Sequence, residues 1–133
     1  MALQFAVSVR NARLDAIETD TGVSAIMKIF SGAQPANCAA ANSGTVLATL
    51  ALPSDWLGAA AAGVKSLAGS WVDASADAAG TAGHFRVYKT DGVTCQMQGS
   101  VAASGADMNV DNVVFAAGQS FTVQSFAITD GNA

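Results

Sequence analysis

Along most of the chain apolar positions alternate with polar ones, the two-residue period of a half-buried strand. "VSAIMKIF" (23–30) and "TVLATLALP" (45–53) are two such runs, separated by a Pro/Asn/Ser/Gly loop at 32–44, and Pro53 ends the second. "SDWLGAAAAG" follows as a short helical turn capped by Ser54, and "VKSLAGSWVDASA" as a strand bent at Gly69. "GHFRVYK", "TDG" and "VTCQMQGSV" read as a hairpin, because Asp91-Gly92 suits a two-residue turn. "DMNVDNVVF" and "QSFTVQSFAIT" flank the turn "AAG". About seven short strands at regular spacing predict a mainly β chain, an antiparallel β-sandwich of jelly-roll type.

The start of the chain breaks this pattern. Leu3, Phe5, Val7 and Val9 alternate, yet "RNARLDAIETDTG" (10–22) has helical composition. Val7, Leu14 and Ile17 fall on one helical face, with Arg13, Asp15 and Glu18 turned to water, and Gly22 is the stop signal. The reading is a helix over residues 6–20. A helical segment, 1–22, thus precedes a sandwich, 23–133, within a single domain of 133 residues.

Composition adds a lean toward association. Hydrophobic residues make up 51% of the chain, but many are alanine and there are 13 glycines, so the core is built from small side chains. Only 12% of residues are charged, which leaves little repulsion between copies. The net charge of −4 and six scattered basic residues (Arg10, Arg13, Lys28, Lys65, Arg86, Lys89) argue against a nucleic-acid partner. No run approaches the roughly 18 apolar residues of a membrane span. "MALQFAVSVR" lacks a basic n-region, so the expectation is synthesis and folding in a cytoplasm.

Candidate chemistry is sparse. His84 stands between Gly83 and Phe85 with no nucleophile or acid beside it in sequence, so it reads as a structural histidine at the surface or half-buried. The carboxylate pairs Asp73/Asp77 and Asp107/Asp111 lie in turn-rich sequence, where aspartate commonly binds nearby backbone amides. Cys38 and Cys95 have no metal-ligand spacing; they read as reduced thiols, Cys95 sharing a face with Val93, Met97 and Val101, or else as a disulfide formed after release. The expectation is no enzyme, no metal and no cofactor. Trp71 reads as a core filler. Trp56 either caps one end of the sandwich or, with Leu57, anchors a protein contact.

Four stretches, "VRNARLDAIETDTG", "SGAQPANCAAANSGTVLATLALPSDW", "GTAGHFRVY" and "DNVVFAAGQSFTVQSFAITDGNA", resemble a family of small virion-associated structural proteins of tailed bacteriophages and prophages. The resemblance spans essentially the whole chain and carries over no catalytic or binding residue. It implies a virion component assembled in the host cytoplasm, and within that class a capsid decoration (cement) protein. Such proteins are typically small, β-rich and often trimeric. The implied partners are the major capsid protein or other virion proteins, and further copies of the chain in a homotrimer. Leu3, Phe5, Val7, Trp56 and Leu57 are the candidate interface residues. The alternative is a carbohydrate- or receptor-binding sandwich of a tail or neck fibre.

Overall fold

The computed structural model describes residues 2–132. One helix, α1 (Val7–Thr21), precedes nine strands: β1 (Ile26–Ser31), β2 (Val46–Ala51), β3 (Val64–Ser66), β4 (Val72–Asp73), β5 (Gly80–Tyr88), β6 (Cys95–Ala102), β7 (Met108–Val110), β8 (Val114–Phe115) and β9 (Phe121–Thr129). The protein is mainly β and sandwich-like, with its helix at the N-terminus. The strands form one curled sheet in the order β2-β1-β5-β6-β7-β9-β3, with β4 paired to β9 and β8 to β5.

One pairing departs from the antiparallel expectation. β6 and β7 run parallel, Val101 opposite Met108, so the sheet is mixed. The cause is a tight return between them. The Asp107 carboxylate accepts the Ser100 N–H at 2.8 Å and its hydroxyl at 2.9 Å, folding the chain back beside the strand it has just left. These bonds to Ser100 also hold the Asp107 pKa below its ordinary value.

The curl brings β5 opposite β9, and the core lies between them. Phe85 meets Phe126 edge-on at 5.6 Å, Trp71 packs on Phe126 at 5.4 Å, and Trp56 on Trp71 at 6.0 Å. The buried Trp71 indole donates to the carbonyls of Trp56 and Ala68, so its polar edge is satisfied inside the core. "SDWLGAAAAG" forms no helix; its backbone is drawn instead into a bridge between Leu57 and Leu67. The expected strand bent at Gly69 is interrupted there and becomes the separate β3 and β4.

The β5–β6 hairpin forms with a wider turn than two residues. Lys89 N–H donates to Thr94 O, Gly92 N–H to Lys89 O, and Gly92 takes a left-handed φ of 68°. Asp91 accepts the N–H groups of Val93 and Thr94 and the Thr94 hydroxyl. Led by the Thr94 hydroxyl bond, these contacts hold its carboxyl at about 2. The register then slips by one residue: Met97 faces Val87, but Cys95 faces Tyr88. This bulge moves Cys95 off the Met97 face and onto the outer face with Tyr88 and Arg86.

That outer face is covered by the 32–44 loop. His84 and Arg86 are buried there, and Phe30 stacks on the His84 ring at 5.0 Å. Arg86 donates to Gln98 Oε1, Asn42 Oδ1 and the carbonyls of Asn37 and Ala40. Gln98 in turn donates to Pro35 O. Gly83 has to be glycine here, since a Cβ would collide with the Gly32 backbone where the loop leaves the sheet.

Candidate functional site

α1 starts after an extended Ala6 with no side-chain cap and stops at Gly22, whose φ of 90° turns the chain out of the helix. Its buried residues are Arg10, Leu14 and Thr21. The expected polarity is partly reversed. Arg13 is exposed, but Asp15 and Glu18 turn toward the 57–65 segment rather than to water, and Val7 lies exposed. Asn11 Oδ1 accepts Gly63 N–H at 2.9 Å, Asp15 Oδ1 accepts Ala60 N–H at 3.1 Å, and Glu18 Oε1 accepts Leu57 N–H at 3.2 Å. Three acceptors on one helical face thus meet three backbone donors spaced three residues apart. The reason is that this segment has few strand partners for its amides, and buried amides need acceptors.

Lys65 sits beneath the same face with its side chain 3% exposed, at 2.7 Å from Asp15 Oδ1 and 3.1 Å from Glu18 Oε2. Burial opposes its charge, but the two carboxylates outweigh burial and its pKa ends above the ordinary value. The hydrogen bond from Lys65, with that from Ala60 N–H, lowers the pKa of Asp15. At the other end of the seat, Arg10 donates twice to Asp130 O, and Arg13 pairs with Asp130 Oδ2 at 3.2 Å.

Of the five candidate interface residues, three lie on the N-terminal segment. Leu3 (70% exposed) and Val7 (50%) stand at the surface of the N-terminal arm and the first helical turn, where Val9 (44%) is exposed too. Phe5 between them is half-buried; its N–H donates to Asn132 O at 2.7 Å and the Arg13 guanidinium lies over its ring. Trp56 and Leu57 offer no such surface and correct the expectation of a contact there. They are 0% and 1% exposed because their loop folds under α1, where the Trp56 indole donates to Gly22 O at 3.2 Å.

A second feature borders this region. β6 pairs with β7 only at Val101 and Ala102, so its Gln96–Gln98 edge and the Ala127–Thr129 edge of β9 face each other unpaired. The gap encloses about 400 Å³, and Phe85, Met97, Phe126, Ile17 and Ile128 line it.

The residues weighed for catalysis have local duties. Asp73 accepts the N–H groups of Thr49 and Ser75, and Asp77 accepts the Thr49 hydroxyl. Asp111 accepts from Asn112 and Thr122. His84 is more buried than expected, at 0% exposure; its Nδ1 pairs with Gly32 O at 2.9 Å and its Nε2 meets no polar partner. Among the described residues no group of three His, Cys, Asp or Glu side chains converges as a metal site would require. Among the described residues no helix is long and apolar enough to cross a membrane. Sequence reasoning missed the polar seat of Lys65 and the buried Arg86 cluster. A lone lysine in a segment with no other charge, "AAAAGVKSLAGS", was the signal for the first.

Compared with known proteins, the chain matches no family model, no curated protein and no solved structure.

Proposed function

We propose that the chain is a non-enzymatic structural protein of a phage particle, a capsid decoration protein that binds the assembled head as a homotrimer. The phage assignment rests on the resemblance of its four sequence stretches. The physical observation that supports a binding role is the N-terminal segment: Leu3 on the arm and Val7 and Val9 in the first turn of α1 are each exposed, on a segment outside the sheet. Exposed apolar area of this kind gains about 25 cal/mol per Å² when a partner covers it.

Sugar and phosphate recognition find less support in the same molecule. Sugar recognition by a sandwich calls for exposed aromatic rings, but eight of the nine aromatics here are buried and Phe5 is half-buried under Arg13. Phosphate recognition calls for free cations. Arg10, Lys65 and Arg86 are buried, Arg13 is paired with Asp130, Lys28 donates to Gly92 O, and Lys89 in the β5–β6 turn adds a single cation rather than a cluster.

Quantitative mass spectrometry of purified particles tests the proposal. Copies in a simple ratio to the major capsid protein are the expected result. A handful of copies per particle would move the protein to the neck or tail, and its absence from particles would overturn the virion assignment.

A further inference from the structure

The two cysteines lie 57 positions apart in sequence (95 − 38), yet the fold brings them together. Cys95 reaches the outer face of the sheet only because the β6 bulge turns it from the Met97 side to the Tyr88 side. Cys38 lies in the loop that covers this face, and the carbonyls of Asn37 and Ala40, on either side of it, both accept from Arg86. The loop around Cys38 is thus fixed over Arg86, the residue two positions before the cross-strand partner of Cys95. Both cysteines are part-exposed and free, and the Cys38 side chain lies near enough to contribute to the raised pKa of Cys95.

We infer that Cys38 and Cys95 form an oxidisable clasp, closed by thiol–disulfide exchange with a small-molecule disulfide such as oxidised glutathione, that fastens the 32–44 loop onto β6. The inference stands independently of the phage assignment. Burial, then the neighbouring Cys38 side chain, raises the Cys95 pKa and disfavours its thiolate, so the first attack is assigned to Cys38, on the covering loop. Cys38 thiolate attacks one sulfur of the small disulfide; the S–S bond of that molecule breaks, and its other half leaves and takes a proton from solvent. Capping Cys38 removes only the smaller cause of the raised Cys95 pKa; burial remains and makes the second step the slower one. Cys95 then loses its proton to solvent and attacks the Cys38 sulfur, and the second small thiol leaves. In total two cysteine thiols are oxidised and one small disulfide is reduced to two thiols.

The consequence is structural. The loop is the cover over His84 and Arg86, so closing the clasp locks that cover, while reduction leaves it held by the Arg86, Gln98 and Asn42 hydrogen bonds. Crosslinking across so long a span is expected to raise the melting temperature by about 10 °C.

The test equilibrates the full-length protein with excess oxidised glutathione, quenches with an alkylating reagent and reads intact mass. The expected product is a monomer lighter by two hydrogens that takes up no alkyl group. In it, amides 37–42 exchange with deuterated water at least about tenfold more slowly than in the reduced protein. Cys95→Ser is expected to hold one glutathione on Cys38 as a stable mixed disulfide, and Cys38→Ser to keep Cys95 as a thiol. Two alkylatable thiols after equilibration, or a disulfide-linked dimer in place of the internal bond, would overturn the clasp. Unchanged exchange of the loop in the oxidised monomer would overturn its role as a lock. Glutathione on Cys95 but not on Cys38 in the single variants would overturn the order of attack.

Discussion

In the interior, Trp56, Trp71, Phe85 and Phe126 meet ring to ring and side chains from both halves of the curled sheet close around them. Beneath α1 the chemistry is the opposite. Leu14 is the helix's one fully buried apolar side chain, and carboxylate, amide and guanidinium groups hold the helix to backbone amides and carbonyls and to Lys65. Apolar packing is tolerant of small shifts and insensitive to pH. A polar seat is directional, and it fails when one partner is removed or changes charge. The helix is consequently tied into the fold by its bonds to 57–65 and 130, and the part of the N-terminus left over for contacts is the short stretch around Leu3 and Val7.

The comparison breaks most severely at the rings. Trp71→Ala removes the side chain that touches both Trp56 and Phe126, and it should cost about 3–5 kcal/mol, close to the whole stability of a small domain. Urea unfolding would show this as a large fall in midpoint. A change below about 1 kcal/mol would mean that the rings are not the centre of the core.

The helix seat comes next. Lys65→Ala strips Asp15 and Glu18 of their shared cation. Because Asp15 is half-exposed and water screens part of the loss, the expected cost is about 2 kcal/mol. Gly63→Ala attacks the same seat by shape: Gly63 has a left-handed φ of 75°, and a Cβ there would collide with the Arg10 guanidinium. Both variants should free the amides of Leu57, Ala60 and Gly63 to exchange while the β1–β5–β6 amides stay protected.

Titration sharpens the contrast. The lowered Asp15 pKa contributes stability that is present above its unfolded value near 3.8 and is lost as pH falls through its folded value. The raised Lys65 pKa contributes stability present below 10.5 and lost as pH rises through its folded value. The seat should therefore loosen at both ends of the pH range before the core does, and in Lys65→Ala these dependences should flatten. Hydrogen exchange of Ala60 against pH, beside that of Val87, separates the two regions.

The smallest effect belongs to the β5–β6 turn. Asp91→Ala removes the acceptor of Val93 N–H, Thr94 N–H and the Thr94 hydroxyl. Those two amides should lose protection with little change elsewhere. In the unaltered protein the Asp91 carboxyl should titrate near 2 by NMR.

This contrast also explains what was legible in the sequence. Alternation in "GHFRVYK" and "QSFTVQSFAIT" marked the strands that became β5 and β9, and the helix bounds fell within a residue of Val7–Thr21, because burial and glycine stops leave local marks. The seat left no such mark. Asp15 and Glu18 look like solvent-facing charges until the amides of Leu57 and Ala60 arrive from 39 and 45 residues away. The Cys95 face was misread for a related reason: a one-residue bulge inverts every later side chain, and no residue in "VTCQMQGSV" announces it. Trp56 looked available for a partner because nothing in "LPSDW" says that a helix will cover it.

The proposed assembly role rests on the exposed N-terminal surface, and Leu3→Asp/Val7→Asp tests it with least disturbance, since both side chains lie outside the core and outside the seat. Binding of the full-length protein and of this variant to empty capsids is the direct measurement, with native mass spectrometry reporting their oligomeric states. The account predicts a variant as stable as the original that binds capsids at least about 100-fold more weakly, from the loss of roughly 3 kcal/mol of apolar burial. Equal capsid binding by the two proteins, or an original protein that stays monomeric and binds no capsid, would contradict it.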